Sequence, residues 1–191
     1  MKDECIGKKC SICDEEFVPG DQYRIEFDHI IQETKLFILS DLKIAASLGG
    51  VPAMELERAK CNIAHMHCHR QRSFLQLHGL DGHAIPFSAT TLKLIAAKGM
   101  KPNRALIKSK KLAIGICACG CKRKVTERNY MCFDFAHTPG EGDVHKVKKV
   151  SALYNLDEIE AEIAKCRLLF CECHKKQETD PGRVTWEKVI P

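Results

Sequence analysis

The chain has no long apolar run and no apolar start; its first ten residues, MKDECIGKKC, are charged throughout. A helix that crosses a bilayer needs about 20 consecutive apolar residues, so no membrane span is expected. The same opening offers no secretory leader. This points to a reducing compartment (cytoplasmic, nuclear or inside a virus-infected host cell) and away from secretion. The charge balance is modest, +5, a basic excess that is compatible with nucleic acid without demanding it. Aromatic residues make up 6%, and the lone tryptophan, Trp186, sits in the tail, where it is expected to pack back on the body of the protein. No C-x-x-C lies in a strand–helix–strand pattern, which argues against a thiol redox protein.

What is abundant is ligand chemistry: twelve cysteines and nine histidines in 191 residues. In a reducing compartment, clustered cysteines read as zinc ligands rather than disulfides. They also recur in register. AKCNIAHMHCHRQR (59–72) aligns without a gap to AKCRLLFCECHKKQ (164–177), so Cys61 falls on Cys166, Cys68 on Cys173 and His69 on His174. Upstream, Cys13 precedes His29 by sixteen residues and Cys121 precedes His137 by sixteen. Lys35 and Ser40 match Lys146 and Ser151, five apart in both. A repeat of this length points to internal duplication. Units of roughly 70 residues bury a thin core and often need a metal staple.

The expected order is the same in each unit: thiols, an acidic-aromatic strand ending in His, a helix, then Cys-His. In the first, C10-S-I-C13 has zinc-knuckle spacing. Residues 17–31 alternate around Pro19-Gly20-Asp21, which predicts a β-hairpin. Ser40 is a candidate cap for a helix over DLKIAASL, which Gly49-Gly50 ends, and Pro52 opens a second helical stretch. Residues 76–112 read as a basic linker with a helix starting at Thr90 or Thr91 and stopped by Gly99 and Pro102. Arg104, Lys108, Lys110 and Lys111 make this linker either a solvated connector or a phosphate-contacting arm. The second unit opens with CACGCKRK, carries a hairpin over about 124–135 and a loop TPGEGD, and continues in a helix from Leu156 capped by Asn155.

Asp28 and His69 can hold one divalent cation that stabilises charge on a phosphodiester and its leaving oxygen, while His29 acts as general base on water. His69 directly follows a zinc-type thiolate, Cys68, so the zinc anchor would fix its place. Their counterparts in the second unit are His137 and His174.

C-x-x-C, then EFDHI, then ELERAKCNIAHMHCHRQR resembles the HNH, or ββα-metal, endonuclease family, and EIEAEIAKCRLLFCECHKKQ resembles that family's ending even more closely. The resemblance covers residues 5–72 and 113–177. It implies an α+β fold of tandem duplicated ββα-metal units, at 1–75 and 113–179, with a tail at 180–191. Each unit would be stapled by a structural zinc ion. It further implies hydrolysis of double-stranded DNA with Mg²⁺ or a similar divalent cation, leaving a 5′ phosphate and a 3′ hydroxyl. Asp28 matches the family's strand metal ligand, His29 its general base and His69 its helix metal ligand. Asn62 is out of register with the family's middle Asn and reads as a turn residue. His65 stands where the family has its third zinc thiol, giving Cys10, Cys13, His65 and Cys68; Phe170 at that place cannot ligate. The second unit would then use Cys171 and Cys173 with two of Cys117, Cys119 and Cys121, preferably Cys119 and Cys121. Cys61 and Cys166 read as buried thiols, with replacement ligands as the alternative, and His67 as a solvated neighbour.

Ala136 replaces Asp28 in the second unit, and Asp134 lies two residues earlier on the same strand face. The first unit is therefore expected to cut and the second to bind DNA or brace the fold; the opposite assignment stays open. Arg70, Arg72, Lys175 and Lys176 would face phosphates, and a homodimer is allowed. The alternative to an enzyme is a zinc-stapled nucleic-acid-binding protein without catalysis.

Overall fold

The computed structural model describes residues 2–30, 34–39, 41–80, 88–137, 150–153 and 155–179. Ser40, Lys146, the TPGEGD loop and Trp186 lie outside them. The chain divides into two compact units, one through His69 and one from Arg70 onward. Among the described residues it is a mixed α+β protein with two separate two-stranded antiparallel sheets.

In the first unit the knuckle opens the fold. Lys9 bridges Glu16, and Asp14 takes a left-handed φ of 59° just after Cys13, turning the chain back. Phe17, fully buried, is tied into this arm through Gly7 N–H to Phe17 O at 2.8 Å and Phe17 N–H to Lys8 O at 2.9 Å. Asp21 then accepts from the Val18 N–H at 3.1 Å, and a single 3₁₀ turn over Gln22–Arg24 follows. The predicted hairpin over 17–31 does not form, because its first half is committed to the knuckle. Strand β1 (Ile25–His29) instead pairs antiparallel with β2 (Cys61–His65), Ile25 opposite His65 and His29 opposite Cys61.

Two helices fill the connection. Helix α1 (Leu42–Ser47) is capped by Asp41, which accepts from Ile44 N–H, and α2 (Val51–Arg58) has Pro52 in its first turn. Helix α3 (Met66–Leu77) starts directly after β2. The core of the unit is Cys5, Cys10, Phe17, Ile25, Ala64 and Cys68.

The second unit repeats this plan. Strand β3 (Phe133–His137) pairs antiparallel with β4 (Cys166–Phe170), and α7 (Cys171–Thr179) follows at once. A shift of 108 residues carries β1 onto β3, and a shift of 105 carries β2 onto β4, with every cross-strand pair preserved. Here too the predicted local hairpin gives way: Lys124 bridges Ile116, and β3 finds its partner in β4.

Helix α4 (Ala89–Ala97) is capped by Ser88, which accepts from Thr91 N–H at 3.0 Å, slightly upstream of the expected start. Helix α5 (Pro102–Ile114) packs Leu106 and Ile107 on Val150, Leu153 and Ile159, the last from α6 (Leu156–Ile163), which Asn155 caps as expected. Lys108 pairs with Glu127, Lys110 with Glu160 at 2.6 Å, and half-buried Lys111 donates to the carbonyls of Tyr130 and Phe133. Helix α5 is thus part of the second unit, and these three ammonium groups are engaged within it. Among the described residues no helix is long and apolar enough to cross a membrane.

Candidate metal centres and an adjoining carboxylate–histidine site

Cys10, Cys13, His65 and Cys68 bring one ligand atom each to within 4.8 Å of one another, as expected. The knuckle supplies the first two, the end of β2 the third and the first turn of α3 the fourth. Cys13 Sγ lies 3.4 Å from His65 Nδ1, and the His65 N–H donates to Cys10 Sγ at 3.3 Å. His65 Nε2 is buried without a hydrogen-bond partner, so Nδ1 is the ring atom turned to the cluster. Hydrogen bonds from Cys68 and then His65 drive the Cys10 thiol far below its usual range, while Cys68 is pushed up by the same contact with Cys10. One thiolate is stabilised at its neighbours' expense, a conflict that a shared dication removes. The donor set and spacing suit tetrahedral zinc, whose ligand atoms, bound at about 2.0 to 2.3 Å, stand about 3.5 to 3.8 Å apart. His67 is half-buried, with Nε2 3.3 Å from Cys68 Sγ.

The second cluster is Cys117, Cys119, Cys121 and Cys173. Cys173 Sγ is 3.7 Å from Cys121 Sγ, and Cys117 Sγ is 3.2 Å from Cys119 Sγ. The Phe170 N–H donates to Cys117 Sγ at 3.2 Å, the counterpart of the His65–Cys10 bond. Contacts with Cys119 and Cys173 lower Cys117, and Cys173 rises correspondingly. The structure corrects one expected ligand: Cys171 is not in the cluster, and Cys117 is. Cys171 opens α7, and Cys173, two residues on, lies roughly 200° around the helix, so the two cannot face one ion. Cys171 is buried elsewhere, and that burial pushes its thiol above the ordinary range. The donors of both clusters therefore fit two structural zinc sites. Cys61 and Cys166 lie outside both; each thiol faces a backbone carbonyl, of Glu57 and Glu162, and burial raises each to about 11.

Next to the first cluster, His69 stands between two carboxylates of β1. Its Nε2 lies 3.3 Å from Asp28 Oδ1, and its Nδ1 pairs with Glu26 Oε2. Asp28 is 1% exposed. His29, the next residue, projects to the other side of the strand, where its Nε2 meets Glu57 Oε1 at 2.7 Å. Glu57, also 1% exposed, accepts from Lys60 at 2.7 Å and from the Leu36 N–H at 2.8 Å. Burial opposes its charge, yet the bonds from Lys60, Leu36 and His29 lower it to about 2. Asn62 is exposed on β2 opposite Asp28, a strand residue rather than a turn residue.

The second unit repeats half of this. His137 Nε2 meets Glu162 Oε1 at 2.6 Å, and Lys165 holds the other oxygen at 2.9 Å. His174 Nδ1 lies 3.2 Å from Asp134 Oδ2, while Arg70 donates to Asp134 Oδ1 at 2.7 Å. Asp134 is thus the counterpart of Glu26, not a displaced Asp28, and Ala136 holds the Asp28 place. The structure brings Asp28 and His69 together and turns His29 and His137 to glutamates that the sequence reading missed. The repeat itself carried that signal: Glu57 and Glu162 each precede a matched cysteine by four residues.

Of the cations expected to face phosphate, Arg72 is buried at 7% and Arg70 is committed to Asp134. Lys175 Nζ lies 2.9 Å from Glu178, and Lys176 is exposed. The chain matches no protein-family model, and neither curated proteins nor solved structures give a match.

Proposed function

We propose that the first unit is a divalent-cation-dependent endonuclease that hydrolyses DNA phosphodiester bonds, and that the second binds DNA or braces the fold. One observation carries this reading: Asp28 Oδ1 and His69 Nε2 stand 3.3 Å apart on a strand and a helix joined at the Cys₃His cluster. Two donors on one octahedral cation of Mg²⁺ size are separated by about 3 Å, so the pair suits such an ion. A cation bound there would supply positive charge to the scissile phosphate and its leaving oxygen.

The chain's own general base would be His29, which Glu57 holds on the face of β1 opposite Asp28 and His69. The phosphate and its attacking water would therefore have to sit at the strand's end, in reach of both faces. An ionised carboxylate only accepts hydrogen bonds, so Glu57 keeps the His29 proton on Nε2. A base held by an orienting carboxylate is a recurrent arrangement for activating a nucleophile.

A second reading, a zinc-stapled nucleic-acid-binding protein, is favoured by the burial of His29 at 5% exposure. Cleavage of supercoiled plasmid in Mg²⁺, Mn²⁺ or Ni²⁺ separates the two. The nuclease reading expects cleavage by wild type and a loss of at least about 100-fold in His29→Ala with zinc content unchanged. No cleavage by wild type in any of the three metals leaves the binding reading.

A further inference from the structure

The repeat runs through the helices as well as the strands. A shift of 105 residues carries α2 (Val51–Arg58) onto α6 (Leu156–Ile163) end to end, so Met54 falls on Ile159 and Glu55 on Glu160. Continuing the match of Lys35 and Ser40 to Lys146 and Ser151 places Leu42 on Leu153. In the second unit, one face of α5 covers these positions. Asn103 donates to the Leu153 carbonyl at 3.3 Å, and Lys110 pairs with Glu160 at 2.6 Å. Between them, Leu106 and Ile107 pack on the cluster of Val150, Leu153 and Ile159. The four α5 residues are spaced i, i+3, i+4 and i+7, a single stripe of a helix.

In the first unit the same positions are open. Leu42 is 65% exposed, against 7% for Leu153, and Met54 is half-buried where Ile159 is fully buried. Leu48 and Val51, on either side of the turn joining α1 to α2, are both more than half exposed. Glu55 is exposed and makes no ion pair among the described residues. Large apolar side chains exposed together on neighbouring helices mark a contact surface.

We propose that this strip of the first unit docks an amphipathic helix of a partner polypeptide, in the way that α5 is docked in the second. The partner helix carries two adjacent apolar residues and, one turn on, a lysine or arginine for Glu55. The second unit shows what covers this face of the repeat: a helix, whose lysine meets the matching glutamate. Glu55 repels phosphate, so a nucleic acid or an anionic lipid surface suits the strip poorly. An apolar helical stripe laid on an apolar strip is a general mode of polypeptide recognition.

The probe is a peptide of residues 102–114, held helical by a hydrocarbon staple between positions 105 and 109, on the side away from the stripe. Its fluorescein-labelled form is titrated with the full zinc-loaded chain and followed by anisotropy. Saturable binding is expected, with a Kd below about 1 mM. Leu42→Asp and Glu55→Lys should each weaken it at least about tenfold while keeping two zinc ions per chain. A peptide carrying Lys110→Glu should bind wild type at least about tenfold more weakly and recover on the Glu55→Lys chain. No saturable binding up to about 1 mM overturns the proposal, as does binding that neither variant weakens. Binding lost in Glu160→Lys but kept in Leu42→Asp would mean that the peptide displaces α5, and also overturns it. Self-association of the chain that Leu42→Asp abolishes would make the occupant a second copy, and would overturn the assignment to a different polypeptide.

Discussion

At the scale of single residues, the pairing of His29 with Glu57 and of His137 with Glu162 decides how each strand end is built. A glutamate inside a charged helical segment reads from sequence as part of a solvated face, and only the fold shows Glu57 to be buried. Its effect on stability follows from the sign of its shift. A carboxyl held at about 2 when folded contributes stability that is complete above the ordinary carboxyl range near 4.5 and is lost as pH falls toward 2. Glu57→Gln, which removes the charge that Lys60 and His29 meet, is expected to cost about 2 kcal/mol near neutrality. The difference in Tm between wild type and variant should hold from pH 7 to about 5 and shrink below about 4.5. Because both proteins lose zinc in acid, the difference and not either Tm alone is the measurement. A gap that stays constant down to pH 3 would mean that Glu57 carries no charge in the fold.

At the scale of elements, the two knuckles differ by one residue. Lys9 and Glu16 bridge seven apart, whereas Ile116 and Lys124 bridge eight apart, and each turn closes on a left-handed residue, Asp14 or Lys122. The extra residue explains the C-x-C-x-C register and resolves the missing ligand. Phe170 occupies the His65 position, and Cys119, carried on the longer turn, supplies the fourth donor. Cys119→Ser should therefore lower bound zinc from two to one per chain by elemental analysis. Adding Phe170→His should recover part of it, since a histidine would return to the place His65 fills. Cys171→Ser should keep both ions and cost about 1 to 3 kcal/mol for a hydroxyl placed in the core.

The knuckle spacing, both Cys-His pairs, the Asn155 cap and the helix opening at Pro52 were legible in the sequence, because each is fixed by neighbours within a few residues. The strand partners were not. Alternation over 17–31 favours the adjacent segment, yet β1 pairs with β2 beyond two intervening helices, where Ile25 and Ala64 can join the cysteine-lined core. The placement of α5 was hidden likewise. A run of lysines reads as solvated until Glu127, Glu160 and two carbonyls arrive from distant segments.

At the scale of the whole molecule, the units depend on metal to different degrees. In the first, ligands Cys10 and Cys68 are themselves members of the core, alongside Phe17 and Ile25. In the second, Cys117 is a buried ligand, but two apolar clusters of the described residues, one around Leu75 and Ile95 and one around Val150, Leu153 and Ile159, contain none of the four cysteine ligands. Zinc bound to such sites contributes about 10 to 16 kcal/mol at neutral pH, more than a small core supplies. Chelation should therefore unfold the first unit as a whole and leave the second partly folded. Amide hydrogen exchange resolves this residue by residue. After chelation the β1 and β2 amides should exchange at the rate of an unfolded chain, while those of α5 and α6 keep most of their protection. Thiol titration over the same course should find three newly reactive cysteines from the first cluster and four from the second. Cys132 and Cys171, buried away from both clusters, should react later, and only as far as the second unit opens. Equal loss of protection in α5 and β1 would show that metal holds both units in the same way, and that the apolar clusters around α5 add no independent stability.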